Sequence, residues 1–366
     1  MVHPKEFIDA LSAAGVDYFV GVPDSLLKDL LACIHDTVPG QRHITAANEG
    51  NAVAIAAGYH LATGKVPCVY LQNSGLGNAV NPLTSLADRE VYSIPMLLII
   101  GWRGEPGVAD EPQHAKQGRI TPALLDVLEI PHTDDLSKAG EMAALALKEG
   151  RPAALVVHAG AFEAYKGKAQ PSALPLTREA AIEEIIAAIE PDAIVVSTTG
   201  KISRELYEAR KRRGEPVRDF LTVGSMGHAS QIALGIAAQK PNRLVYCLDG
   251  DGATIMHLGG LATISWVAPK NFRHIVLNNL AHESVGGQPS AAGVIDIPAA
   301  AKALGYVAAA SVDSREAIAP ALKTFAQGPA LLEVKVNLES RKDLARPAQT
   351  PLENKRSFIE FLNGTN

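Results

Sequence analysis

The chain has 366 residues, of which 47% are hydrophobic, 5% aromatic and 20% charged, with a formal net charge of −5. That length suits two domains with a buried core each, and an apolar set dominated by Ala, Val, Ile and Leu suits helices packed on buried parallel strands rather than an antiparallel sandwich. The acidic balance excludes nucleic acid as the main partner, because phosphate backbones demand a concentrated basic face, and three scattered cysteines, Cys33, Cys68 and Cys247, exclude a zinc ribbon or a disulfide framework.

From the start, MVHPKEFIDALSAAG mixes charges into a helical pattern with no apolar signal core. Strands are expected at Asp17–Gly21, Val66–Leu71, Met96–Ile100 and Ala153–Val157, then at Ala193–Ser197, Arg243–Leu248, His274–Asn278 and Leu331–Val336. The longest apolar run, Ile94–Ile100, is too short to cross a bilayer, so a cytoplasmic protein with no membrane partner is expected. Between the strands, segments such as Asn48–Thr63 and His228–Gln239 carry small and apolar residues at helical spacing. Such alternation predicts an α/β fold of two doubly wound parallel-sheet domains. Periodicity lapses at GAFEAYKGKAQPSALP, which sets a first domain at residues 1–165, a linker at 166–176 and a second domain at 177–366. A polar stretch with two prolines, ESRKDLARPAQTPLENK, precedes a short closing amphipathic helix.

Residues 244–279 carry the strongest signal. An apolar strand ends in Gly250-Asp251-Gly252, a helix follows, and the next apolar strand ends in Asn278-Asn279. In a parallel βαβ unit both strand ends lie on the carboxyl edge of the sheet, where α/β proteins bind ligands. The glycines let backbone amides approach a diphosphate, and Asp251 with an asparagine supplies the hard oxygen ligands that magnesium prefers. A lone GDG is a common turn, and a dinucleotide fingerprint fits poorly because Ile255 stands where the third glycine belongs.

GDG, a helix and NN together resemble the signature of the thiamine-diphosphate-dependent decarboxylases. The resemblance implies thiamine diphosphate and Mg2+ as cofactors, with Asp251, Asn279 and the main-chain oxygen of Ala281 on the metal; Asn278 is the second choice for the asparagine. It further implies that Gly250, Gly252 and Ala253 meet the diphosphate. Thr199 and Gly200, in Thr198-Thr199-Gly200, either meet it too or simply cap a helix. Ser225 and Met226, in Val223-Gly224-Ser225-Met226-Gly227, resemble the segment that wedges an apolar side chain under the coenzyme; a core methionine is the alternative. In the first domain TAANEGNAVAIAAGYHLATG resembles the segment whose glutamate contacts the coenzyme's pyrimidine ring, which makes Glu49 the catalytic carboxyl unless it is only a helix-capping acid. Gln72-Asn73-Ser74-Gly75-Leu76-Gly77-Asn78 resembles the loop below that ring, with Asn73 as a contact.

A chain without the superfamily's usual third, central domain is similar to the phosphonopyruvate and sulfopyruvate decarboxylases. Gly21-Val22-Pro23-Asp24-Ser25-Leu26-Leu27-Lys28, Asp110-Glu111-Pro112-Gln113-His114 and Ala281-His282-Glu283-Ser284-Val285-Gly286-Gly287-Gln288-Pro289 resemble the phosphonopyruvate branch. By that resemblance Ser25, His114 and His282 join Glu49 as catalytic candidates, because imidazole titrates near neutrality, and Asp24 and Ser25 contact substrate. Arg341, Lys342 and Arg346, in a basic segment near the chain's end, are candidates for the substrate's anionic tail, or else form a solvated loop. The implied activity is decarboxylation of an anionic 2-oxo acid, phosphonopyruvate first, as in phosphonate biosynthesis. Sulfopyruvate, a non-catalytic coenzyme-binding subunit and an unrelated nucleotide-binding α/β protein are the alternatives. The resemblance also implies a homodimer or higher homo-oligomer with active sites between subunits.

Overall fold

The computed structural model describes residues 1–168, 174–341 and 343–364. The chain forms two compact units, Met1–Gln170 with His282–Gln288, and Pro171–Ala281 with Pro289–Asn366. Part of the expected linker, residues 169–173, lies outside the described residues.

In the first unit β1 (Phe19–Gly21), β2 (His43–Thr45), β3 (Cys68–Gln72), β4 (Met96–Gly101), β5 (His132–Thr133) and β6 (Pro152–Val157) make one parallel sheet in the order β2-β1-β3-β4-β6-β5. Side chains alternate between faces along a strand, and β4 shows the consequence. Leu97 and Ile99 join the core under the helices Pro4–Ala13, Lys28–Thr37 and Ala139–Glu149. Met96, Leu98 and Ile100 join the opposite core, which includes Ala52, Val53, Ala56 and Ala57 of the helix Glu49–Thr63. That helix starts where Asn48 accepts a hydrogen bond from the Asn51 N–H and ends at Gly64, whose φ of 70° places it in the left-handed region that glycine tolerates.

In the second unit β7 (Ile194–Ser197), β8 (Phe220–Leu221), β9 (Val245–Gly250) and β10 (Phe272–Asn278) come first. A short two-stranded pair follows, β11 (Ala281–His282) and β12 (Gln288–Pro289), and then β13 (Ala308–Val312) and β14 (Ala330–Lys335). The main sheet is again parallel, in the order β13-β14-β10-β9-β7-β8. Tyr246 and Leu248 of β9 face one core, Val245 and Cys247 the other. Both sheets are covered on two faces, so the doubly wound α/β expectation holds.

Taking β7, β8, β9, β10, β13 and β14 as first to sixth, the second sheet read from its β8 edge has the order 2-1-3-4-6-5, the same as the first sheet. The order reverses between first and third strands, at β1/β3 and at β7/β9, where α/β sheets open a crevice at their carboxyl edge. Asp24-Ser25 and Asn73 follow β1 and β3; Thr198-Thr199-Gly200 and Asp251 follow β7 and β9. The sequence motifs therefore occupy equivalent positions in two units that share a topology without a visible repeat.

All eight expected strands are present, with ends shifted by no more than two residues. The four they omit from the main sheets, β2, β5, β8 and β13, are the edge strands. The His282–Gln288 segment, expected in the second domain, groups with the first unit.

Candidate active site

In the first unit, Glu49 opens its helix and is only 5% exposed. Asn78 Nδ2 donates to its Oε2 at 2.7 Å. The other carboxyl oxygen lies over Gly75, where an added Cβ would fall 2.3 Å from Oε1. Gly75 and Asn78 of the loop after β3 thus form the seat of the Glu49 carboxyl, and that pairing escaped the sequence reading. Burial raises the Glu49 pKa, against the hydrogen bond from Asn78, which favours the protonated carboxyl, the form that donates a hydrogen bond.

A second polar cluster collects at the ends of β1, β3 and β4. Asp24 is fully buried; Gln72 Nε2 donates to its Oδ1 at 2.6 Å and the Leu26 N–H to its Oδ2 at 3.1 Å. Burial raises the Asp24 pKa, with Gln72 and Arg103 pulling the other way. Arg103, two residues beyond β4, is the hub. Its Nε donates to Asp110 Oδ2 at 2.8 Å, one Nη to Asp110 Oδ1, and the other Nη to Ser25 Oγ at 2.6 Å. His114 Nδ1 lies 3.0 Å from the same Asp110 carboxylate, and the Gly104 and Glu111 N–H groups donate to it. Burial opposes ionisation of Asp110, but these hydrogen bonds outweigh it and hold the carboxyl well below the usual range.

Ser25 and His114, expected as site residues, are thus brought together through Arg103 and Asp110, which the sequence reading did not single out. A cation two residues past a central buried strand was the available signal. Asn73 is buried with its side chain in use: Nδ2 donates to the Arg103 carbonyl and to Thr121 Oγ1, and Oδ1 accepts the Arg103 N–H. It fixes the Arg103 peptide.

In the second unit Asp251 is 4% exposed at the end of β9 and accepts a hydrogen bond from Ser290 Oγ. Burial pushes its carboxyl up to about 6, against the hydrogen bond from Ser290. A cation beside it would remove that penalty. Asn278 is engaged at both ends, its Nδ2 donating to Glu333 Oε1 at 2.7 Å and its Oδ1 accepting the Leu280 N–H at 2.9 Å. Asn279 Oδ1 accepts the Ala281 N–H at 3.2 Å, and Leu280 between them has a φ of 62°, which turns the chain sharply. Asp251, Asn279 and the Ala281 carbonyl make an all-oxygen donor set that fits magnesium.

Thr199 Oγ1 accepts the Gly224 N–H at 3.0 Å, tying the turn after β7 to the segment of Ser225 and Met226. Gly200 has a φ of 95° and Ser225 a φ of 46°, while Met226 is half-buried. Near these turns Thr222 Oγ1 and Thr254 Oγ1 are buried without a hydrogen bond among the described residues. Thr254 follows Gly250, Gly252 and Ala253 directly in the chain, and its orphaned hydroxyl fits a polar ligand such as a diphosphate. His282 is half-buried, and burial pulls its pKa down to about 4, so it is neutral at pH 7.

The basic segment, left open between a substrate contact and a solvated loop, holds ion pairs within its own unit. Arg341 is exposed and spends its charge on Glu179, Glu208 and Asp343. The Ala345 N–H donates to Glu208 at 3.0 Å, so the segment is docked on its own unit. Arg346 is exposed, and Lys342 lies outside the described residues.

Comparison with known proteins agrees with this geometry. Residues 4–130 match the thiamine pyrophosphate enzyme N-terminal TPP binding domain, and residues 198–334 match the C-terminal TPP binding domain. The chain is similar to the phosphonopyruvate decarboxylase of Streptomyces viridochromogenes, at 38% identity over 99% of this chain and 95% of that one. It is likewise similar to the phosphonopyruvate decarboxylase of Streptomyces hygroscopicus, at 39% identity over 99% and 94%. The sulfopyruvate decarboxylase of Methanosarcina acetivorans is 30% identical over 89% of this chain and 88% of its own. No helix among the described residues is long and apolar enough to cross a membrane. With both TPP binding domains matched and near-complete overlap with these relatives, the chain belongs to the thiamine pyrophosphate enzymes, as a carboxy-lyase of the phosphonopyruvate decarboxylase family.

Proposed function

We propose that this protein converts phosphonopyruvate to phosphonoacetaldehyde and carbon dioxide with thiamine diphosphate and Mg2+. The single observation that carries the reading is the Glu49 carboxyl, buried, biased toward its protonated form and seated between Asn78 and Gly75. When bound, the coenzyme supplies an electron sink for the pair released as carbon dioxide departs. Glu49 would hold a proton against the pyrimidine nitrogen, while Asn78 keeps one carboxyl oxygen from rotating away. Asp251, Asn279 and the Ala281 carbonyl would hold the metal. Asn279 is taken as the asparagine, as the resemblance implies, while Glu333 and the Leu280 N–H tie Asn278 into its own surroundings. Thr222 and Thr254 supply hydroxyls for the diphosphate, and Met226 lies on the segment expected to support the coenzyme. His114 lends a proton relay whose ring is oriented by Asp110.

Glu49 and Asp251 lie in different units, and a homodimer with its sites between subunits is the proposed active form. Light scattering that finds a fully active monomer contradicts that assembly. The second reading, sulfopyruvate as substrate, is favoured by the 30%-identical relative of that name. The experiment is an end-point assay of carbon dioxide and aldehyde from phosphonopyruvate, sulfopyruvate and pyruvate supplied separately with thiamine diphosphate and Mg2+. Turnover led by phosphonopyruvate supports the proposal; turnover led by sulfopyruvate, or none, overturns it.

A further inference from the structure

An acidic 2-oxo acid needs a receptor for its tail, and the basic segment expected to provide one spends Arg341 on three carboxylates. The Arg103 cluster has the right chemistry instead. A guanidinium has five N–H groups, and Asp110 and Ser25 take three of them, one each from Nε and the two Nη atoms. Among the described residues two N–H groups are left, one on each Nη. Ser25 Oγ accepts from Arg103 and keeps its own hydroxyl proton for another acceptor. Among the described residues His114 is engaged through Nδ1, by Asp110, which leaves its Nε2 edge for a ligand.

The site is rigid as well as donor-rich. Asp110 grips the guanidinium side-on, Asn73 clamps the Arg103 peptide from both sides, and Arg103 is buried enough that its side chain is 18% exposed. A cation fixed in advance loses little rotamer freedom on meeting an anion. Asp110, Asp24 and Glu111 are the carboxylates that bear on Arg103. Asp110 is neutralised by Arg103 and two backbone N–H groups, and Asp24 is fully buried and turned to Gln72 and the Leu26 N–H.

We propose that Arg103, with Ser25 and His114, forms the subsite that binds the substrate's three-oxygen phosphonate tail, with Asp110 and Asn73 as its positioning residues. This subsite rests on the reading of the protein as a decarboxylase of an acidic 2-oxo acid, and it makes Arg103 the residue that separates such substrates from pyruvate.

The test titrates the protein loaded with thiamine diphosphate and Mg2+ with 3-phosphonopropionate, which carries tail and carboxylate but no reactive carbonyl. Arg103→Gln is expected to weaken binding at least about 30-fold, the scale of a lost charge-assisted contact, and Ser25→Ala about 5-fold. Arg103→Lys should recover part of the loss, which a purely structural arginine would not allow at a side-on grip. Coenzyme affinity should stay within about threefold in all three variants. Binding of 3-phosphonopropionate by Arg103→Gln within about threefold of the parent, loss of coenzyme affinity in parallel, or no binding by the parent protein each overturns the subsite. Parent turnover of phosphonopyruvate, measured separately, bears on the activity instead: a protein that binds the probe through Arg103 yet releases no carbon dioxide keeps the subsite and loses the reaction.

Discussion

Replacing Gly75 with alanine isolates the seat of Glu49. The added Cβ would lie 2.3 Å from Glu49 Oε1 and 2.6 Å from both Cδ and Cγ. Non-bonded contacts of this kind settle at about 3.5–4.0 Å, so the carboxyl must retreat by roughly 1 Å. The backbone does not object, since Gly75 sits at φ −75°, ψ −12°, a conformation open to any residue. Alanine there should even gain about 0.4–1 kcal/mol from a less flexible unfolded chain. The displaced carboxyl is what costs, and a 1 Å misplacement of a catalytic group costs on the order of 10²-fold in rate, about 2.7 kcal/mol. The assay is steady-state carbon dioxide release beside thermal unfolding. Gly75→Ala should lose about 100-fold in kcat with its Tm within about 4 °C of the parent. Gly77→Ala is the control, because its Cβ would meet nothing within 4 Å. Gly75→Ala activity within about threefold of the parent, or equal losses in both variants, refutes the reasoning.

Glu49→Gln should remove most turnover and, in protein free of coenzyme, raise stability in a pH-dependent way. Burial raises the native pKa of Glu49, so the stability tied to its neutral form is whole below the free-glutamate value of about 4.3 and is lost as pH rises through the raised value. The Tm gain of Glu49→Gln should therefore appear at pH 8 and vanish at pH 4; a gain that ignores pH contradicts the burial argument. Asp251→Asn and Asn279→Ala should each weaken Mg2+-dependent coenzyme binding at least about 30-fold by titration. Asn278→Ala should mainly lower Tm, through its lost bonds to Glu333 and the Leu280 N–H, and the reverse pattern would exchange the two assignments. Arg178 pairs side-on with Glu205 at 2.7 Å, both buried, so Arg178→Met should cost about 3–5 kcal/mol in denaturant unfolding by stranding the carboxylate. Adding Glu205→Leu should recover much of that loss.

The strands legible in the sequence are the buried ones. Met96–Gly101 and Pro152–Val157 are buried along their whole length and read as apolar runs. His43–Thr45 sits at a sheet edge, half solvated, and carries no such run. Asp251 and Glu49 were legible as candidates because each sits in a short motif, Gly250-Asp251-Gly252 and Asn48-Glu49-Gly50, that resembles a known family's. Arg103 was not, since its meaning depends on Ser25, 78 residues away, and on a strand order that the sequence does not display. For the same reason the ion pairs of Arg341 were not legible. Its partners Glu179 and Glu208 stand 162 and 133 residues before it, and only folding brings their charges together.

The most direct measurement of the central claim is hydrogen–deuterium exchange at the reactive thiazolium C–H of coenzyme bound to the protein with Mg2+. Parent protein should exchange that proton fast, and Glu49→Gln should slow it at least about 100-fold while binding the coenzyme with similar affinity. Equal exchange in the two proteins would remove Glu49 from the chemistry and the account with it.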